Sequence, residues 1–144
     1  MTKPAAIIPL GISHRLDTEW YNGEKIQETV NQAFKPFWSN IKKPIFWERS
    51  DERRQTFLSG QVNTTQLLLG SNVDDIRRVN SREYTSIEDT VDSGLTFLNN
   101  QLHWKGFWEL LEPDLKEYWD TQIAALRDQL LVDLQEVWHE LAAD

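Results

Sequence analysis

The strongest constraint on the fold is a regular apolar repeat near the C-terminal end of the sequence. Over residues 113–142, apolar side chains recur at steps of 4, 4, 3, 4, 4, 3 and 4: Leu115, Trp119, Ile123, Leu126, Leu130, Leu134, Val137 and Leu141. The repeat of about 3.67 residues per turn is typical of a straight helix and differs from the heptad of a coiled coil. Three further residues widen the stripe on one side: Ala124, Leu131 and Trp138. A wide stripe favours packing in a bundle, so we predict a long amphipathic helix here.

The predicted helix is long for the size of the chain. It would extend about 45 Å, whereas a compact domain of 144 residues is only about 37 Å across. We therefore expect it either to span the whole domain or to project from it and bind a partner, for example a second copy of the chain.

Upstream helical signals are weaker. Thr85 and Glu88 fit a capping box, and an apolar face follows it: Ile87, Val91, Leu95, Leu98 and Leu102. Gly94 lies inside this helix and indicates close approach by a neighbouring helix. A further helix is expected from residue 24, with a kink or break at Pro36. Residues 45–72 are ambiguous between helix, loop and strand.

These patterns predict one all-α domain over residues 1–144, an irregular helical bundle that ends in the long helix of residues 113–142. A minor β-hairpin near residues 56–69 is kept as an alternative for that segment. The expected parts are as follows: an extended N-terminal arm at 1–23, a weakly basic helical half at 24–82 and an acidic helical half at 83–144.

Charge is unevenly distributed along the chain. Residues 1–82 carry 12 basic and 9 acidic residues, whereas residues 83–144 carry 3 basic and 14 acidic residues, within an overall net charge of −8. Such an acidic half repels phosphate and makes nucleic-acid binding unfavourable. Either the two halves attract each other within the fold, or one of them faces a partner of opposite charge.

Several classes of chemistry find no support in the sequence. The chain has no cysteine, which excludes disulfides and thiolate chemistry and fits a cytoplasmic protein. No apolar run is long enough to cross a membrane. Glu136 and His139 have the spacing of a metal-ligand pair in a bundle, but no second pair accompanies them, so we expect no metal and no cofactor. Phosphate-binding and nucleophile motifs are absent, so we expect no enzyme.

The seven tryptophans allow two interpretations, a binding platform or the core of a small domain. For most of them the core is favoured. Trp138 is the expected exception, because it lies near the chain end beside polar residues.

The favoured function is a non-enzymatic protein–protein interaction protein, namely an adaptor, an assembly factor or an inhibitor. It would act through its acidic helical surface and the long helix, on a partner that is expected to be basic, and a homodimer is a further candidate. The predicted partner-binding residues lie toward the end of the long helix: Leu131, Asp133, Leu134, Glu136, Trp138 and Leu141.

The alternative is a DNA-binding regulator that dimerises through the long helix. Residues 64–82 have the outline of a helix-turn-helix, with a turn at residues 70–73 and a second helix that carries Arg77, Arg78 and Arg82. Asp74 and Asp75 count against it, since they open the supposed recognition helix, where they would meet phosphates.

Overall fold

The chain forms a helical bundle, as predicted. The structure, a computed structural model, describes residues 10–79, 86–104 and 106–142, with side chains for residues 22–77, 86–103 and 106–141. The helices are α1 (Leu10–Ile41), α2 (Pro44–Trp47), α3 (Glu52–Val79), α4 (Ile87–Trp104) and α5 (Pro113–Ala142). A short 3-10 turn at Trp108–Leu110 precedes α5. These described residues contain no strand, so the all-α class is confirmed.

The four long helices form a ring in which each is antiparallel to its two neighbours. α1 packs on α3 and α5, and α4 packs on α3 and α5, so α3 and α5 lie diagonally opposite each other. Two contacts along each interface give the directions. α1 and α5 meet at Lys25–Glu140 and Asn40–Tyr118, and α1 and α3 meet at Gln27–Gly70 and Trp38–Gln66. α3 contacts Gly94 of α4 through Leu69 and Phe107, just after α4, through Phe57, and α4 and α5 meet at Asp92–Arg127 and Asn99–Trp119. The order is that of an up-down-up-down bundle with short connections.

A single apolar core fills the centre of the ring. Trp119 is its largest fully buried side chain and packs edge-to-face on Phe37 and in a stacked geometry on Phe46. Its indole Nε1 donates a hydrogen bond to Asn99 Oδ1 at 2.9 Å, which satisfies the one polar atom that would otherwise be buried unpaired. The core draws on every long helix: Ile26, Val30, Phe34, Leu58, Val62, Leu69, Val91, Leu95, Leu98, Leu102, Leu115, Leu126, Leu130 and Leu134.

The predicted helix over residues 113–142 is confirmed at both ends. It spans the bundle and does not project from it. Near its start, the Tyr118 hydroxyl donates to the carbonyl oxygen of Asn40 at 2.6 Å. Near its end, Glu140 pairs with Lys25 at 2.6 Å. α1 therefore accompanies α5 over nearly its whole length.

One prediction for the first helix is wrong, and of the kink or break expected at Pro36 the break does not occur. The extended arm at residues 1–23 is helical from Leu10 onward, and residues 1–9 lie outside the described part. The helix also runs through Pro36 without ending. Proline removes one backbone hydrogen bond, but Phe34 and Phe37 on either side are both buried, so tertiary packing keeps the segment helical.

Of the alternatives left open for the segment that contains residues 56–73, the helix is the one that forms. Neither a β-hairpin at 56–69 nor a turn at 70–73 forms, because residues 52–79 are one continuous helix. Leu58, Val62, Leu69 and Val73 are buried at helical spacing, and that burial outweighs the local turn signal of Gly70.

Helix α4 confirms the predicted apolar face and the close approach at Gly94. A Cβ at Gly94 would lie 2.6 Å from Leu69 Cδ2, so α3 and α4 require glycine there. The helix is capped one residue later than predicted: the Ser86 hydroxyl accepts a hydrogen bond from the amide of Asp89 at 3.1 Å. Thr85 lies outside the described residues.

Candidate partner-binding surface

The apolar side chains predicted to bind a partner are mostly part of the core. Leu134 is 0% exposed and lies in the centre of the bundle. Leu131, Trp138 and Leu141 are half-buried and pack against the same core. Leu134 is thus a core residue, and the apolar stripe of α5 faces two neighbours, α1 and α4, whereas the binding role of the half-buried residues stays a prediction.

The outward face of α5 is acidic. Six of its carboxylates are exposed. Asp114 and Glu140 lie near Arg49 and Lys25, and the other four are Glu117, Asp120, Asp128 and Glu136. Within the part of the chain that the structure describes, none of the four forms an ion pair. We call these four residues the acidic face. Asp133, by contrast, is half-buried and accepts a hydrogen bond from Gln129 Nε2 at 2.9 Å, and Glu140 is paired with Lys25.

Val132 adds an apolar contact to the acidic face. It is 60% exposed and lies between Asp128 and Glu136 along α5. Val132 was not among the residues predicted to bind a partner, although its position outside the apolar repeat of α5 indicates that it is exposed. A partly apolar centre with a charged surround is the usual anatomy of a protein interface.

The two basic residues of α5 do not neutralise this face. Arg127 turns toward α4, where its Nε donates to Asp92 Oδ1 at 2.5 Å and its guanidinium lies 3.0 Å from Glu88. The hydrogen bond to Arg127 lowers the pKa of Asp92, and the same bond raises the pKa of Arg127. Lys116 lies over the ring of Trp108 at 5.8 Å. Both cations are thus engaged at the edges of the helix.

Contacts between the two differently charged halves are limited. Lys25 pairs with Glu140, and Arg49 lies 2.7 Å from Glu112 and 3.6 Å from Asp114. The hydrogen bond that Arg49 donates to Glu112 raises the pKa of Arg49. Attraction within the fold therefore involves the ends of α5 and leaves its middle, where Asp120 and Asp128 lie, without a basic partner among the described residues.

A small groove lies beside the acidic face, between α1 and α5. Asn40 Nδ2 donates to Gln122 Oε1 at 2.9 Å across it. The groove has about 90 Å3 of free space, room for about three water molecules at ~30 Å3 each. Small-molecule sites are several times larger. It is lined by Ala33, Pro36, Phe37, Asn40, Gln122, Ala125, Leu126 and Gln129.

The turn of the predicted helix-turn-helix does not form, because residues 70–73 lie inside α3. Arg77 is largely buried and pairs with Asp74 on the same helix at 2.9 Å. The side chain of Arg78 and all of Arg82 lie outside the described residues. Since residues 70–73 continue the helix, the geometry that would place a second helix in a groove of DNA does not form.

Most of the described tryptophans belong to the core. Trp119 is fully buried, and four others pack partly buried against the core: Trp38, Trp47, Trp108 and Trp138. Trp38 Nε1 donates to Gln66 Oε1 at 2.8 Å, which ties α1 to α3. The side chains of Trp20 and Trp104 lie outside the described part.

The described residues also bear on metal binding and on membrane spanning. Among the described side chains, no three acidic or histidine residues converge where a metal ion could be held, and Glu136 and His139 have no third ligand. In the same residues, no helix has both the length and the apolar content needed to cross a membrane.

Comparison with protein-family models, with curated proteins and with solved structures gave no match.

Proposed function

We propose that this chain is a non-enzymatic protein-binding domain whose acidic face binds a basic partner protein. The observation that carries the proposal is the exposure of Glu117, Asp120, Asp128 and Glu136 on one side of α5 without ion pairs among the described residues. This set replaces the apolar residues predicted from the sequence, since Leu134 belongs to the core.

The chemistry of the face indicates the kind of partner. Carboxylates on a rigid helix attract lysine and arginine side chains, and such pairs mainly set the association rate and the choice of partner. Exposed charges are screened within about 8 Å at physiological ionic strength. Binding is therefore expected to weaken steeply with salt. Val132 would supply an apolar contact between Asp128 and Glu136.

The test compares two triple variants with the same change in net charge. The first, Asp120→Asn/Asp128→Asn/Glu136→Gln, neutralises three of the four carboxylates of the acidic face. The second, Glu24→Gln/Glu28→Gln/Glu48→Gln, neutralises three exposed carboxylates elsewhere. Each protein is immobilised and exposed to an extract of the native host, and retained proteins are identified by mass spectrometry.

We expect a basic protein to be retained by the unmodified chain and by the second variant, and to be lost from the first variant or at high salt. Equal retention by both variants would exclude the acidic face as the binding site. Retention that is insensitive to salt would exclude a charge-based interaction.

A further inference from the structure

The middle of α3, which lies diagonally opposite α5, and the adjoining part of α4 carry no charge. No Asp, Glu, Lys or Arg occurs from Gln55 to Val73 in α3 or from Ser93 to Leu102 in α4. These are neighbouring helices, so the two uncharged segments adjoin. We call their exposed residues the neutral face: Thr56, Gly60, Asn63, Thr64, Leu67, Leu68, Ser71 and Asn72 of α3, and Ser93, Thr96, Phe97 and Asn100 of α4.

The neutral face exposes large apolar side chains. Leu67 is 62% exposed, and Leu68 and Phe97 are also exposed. Single exposed apolar residues are common, but several on one uncharged side of a highly charged protein are typical of an interaction site. Because the face has no charge, it offers nothing specific to a strongly acidic or basic partner.

Gly60 is unexplained by the packing of a single chain. Glycine destabilises a helix interior. Close packing explains two of the glycines: a Cβ at position 70 would overlap the side chain of Gln27, and a Cβ at position 94 would overlap that of Leu69. At Gly60 a Cβ would meet nothing within 4 Å. The backbone is bare and open to solvent there, which leaves room for the close approach of another molecule.

The charge of the protein favours a second copy as that molecule. Each copy has a net charge of −8, so two copies repel each other wherever acidic surfaces meet. They can meet through the neutral face without opposing carboxylates. The charged residues that flank this segment are also self-complementary: Arg53 and Asp75 are both exposed and lie eleven residues before and after Thr64.

We propose that two copies of the chain pair through α3, antiparallel, about a twofold axis at Thr64. In this arrangement Arg53 lies opposite the partner's Asp75. Gly60 and Leu68 are each four residues from Thr64, so the leucine of one copy lies over the bare backbone of the other. Each contact occurs twice, as a closed twofold interface requires.

The size of the face is adequate for a modest dimer. The uncharged stretch of α3 is about 28 Å long and that of α4 about 15 Å, and each helix is roughly 10 Å wide. The projected area is therefore about 430 Å2, and the accessible area of a ridged surface is larger. A standard interface takes about 800 Å2 from each partner. We accordingly expect a dissociation constant in the micromolar range.

Sedimentation velocity over the micromolar to near-millimolar range tests this pairing. The unmodified chain should shift from monomer to dimer. Leu67→Glu places two carboxylates near the axis and should weaken the dimer by roughly tenfold or more, the usual loss on disrupting an important interface residue. Val132→Glu is the matched control, since Val132 is 60% exposed on α5, and it should leave the dimer unchanged. Circular dichroism checks that each variant is folded.

A charge exchange tests the antiparallel orientation. Arg53→Asp alone and Asp75→Arg alone each bring like charges together and should weaken the dimer. The double variant has the net charge of the original chain and should restore the dimer. A monomer at every concentration would overturn the proposal. It would also be overturned by a dimer that Leu67→Glu leaves intact, or by a double variant that does not recover.

Discussion

The backbone of Gly70 in α3 lies directly against the side-chain amide of Gln27 in α1. A Cβ at position 70 would stand 2.0 Å from Gln27 Oε1, so only glycine leaves room for that amide. Gln27 Nε2 donates to Asn31 Oδ1 at 3.0 Å and to the carbonyl of Gln66 at 3.3 Å. Gln66 in turn donates to Asn31 and accepts from Trp38. This network fixes how α3 pairs with α1.

We predict that Gly70→Ala destabilises the fold. Alanine improves helix propensity by up to ~1 kcal/mol, but its methyl group would displace the Gln27 amide and leave partly buried polar groups unpaired, at about 1–3 kcal/mol each. A net loss of about 1–2 kcal/mol is expected from urea unfolding.

Gly60→Ala is the matched control in the same helix. No atom lies within 4 Å of a Cβ at that position, so the monomer should gain up to ~1 kcal/mol from helix propensity alone. The measurement is made at protein concentrations at which the chain is monomeric. Equal stabilisation by both alanines would contradict the close contact at Gly70.

The burial of Leu134 predicts a large cost for its truncation. Leu134→Ala should destabilise the domain by about 2–5 kcal/mol, since it leaves a cavity in a packed core. Val132→Ala, two residues away on the exposed side of α5, should change stability by no more than about 0.5 kcal/mol. Similar effects of the two substitutions on thermal or urea unfolding would show that α5 is oriented differently in the bundle.

Arg77 is predicted to act in stability and not in DNA binding. Arg77→Ala removes an ion pair with a largely buried carboxylate, Asp74, and should cost about 1–3 kcal/mol. A titration with duplex DNA at low salt should show no binding, either by the unmodified chain or by the double variant Arg77→Ala/Arg78→Ala. Tight binding that this double variant abolishes would restore the regulator hypothesis.

The contact between Asp92 and Arg127 predicts a loss of stability in acid. The pKa of Asp92 is lowered from its ordinary value of 3.8 by the hydrogen bond to Arg127. The stability that the Asp92–Arg127 contact contributes is therefore fully present at pH values above the ordinary pKa. It is lost as the pH falls through the lower pKa that Asp92 has in the folded state. Because the Asp92 side chain is 45% exposed, solvent screening keeps the effect small.

Thermal unfolding between neutral pH and pH 2 measures this contribution. The difference in melting temperature between the unmodified chain and Asp92→Asn should be greatest at neutral pH and should shrink below about pH 4. Asp120→Asn, which removes an exposed carboxylate without an ion pair among the described residues, is the control. A difference that stays constant down to pH 2 would argue against the ion pair.

The long helix could be predicted from the sequence because its signals are local. The repeat of α5 and the proline at its first position mark the helix and its start. α1 and α3 were harder for the opposite reason. Pro36 and Gly70 are helix-breaking signals, yet both lie inside helices because contacts distant in sequence, such as Gln27 against Gly70, decide the outcome.

The candidate surface could be predicted only in part. The acidic exterior of α5 follows from its composition, and Asp120, Asp128 and Glu136 are exposed. The apolar residues predicted to bind a partner were harder to assign. An apolar stripe that is buried between two neighbouring helices has the same sequence pattern as one that leaves an edge exposed for a partner. Leu134 illustrates the difficulty: its burial depends on where α1 and α4 lie, which the periodicity of α5 alone does not contain.

The diagonal placement of α3 and α5 makes the molecule electrically lopsided. α5 carries seven acidic and two basic residues, whereas α3 carries three acidic and four basic ones. The domain therefore has a transverse electric dipole, apart from its overall charge. Beside an amine-coated sensor or an anion-exchange bead it would settle with α5 inward. α3, with its uncharged middle segment, would then face the solution, so simple adsorption would favour one orientation of the molecule.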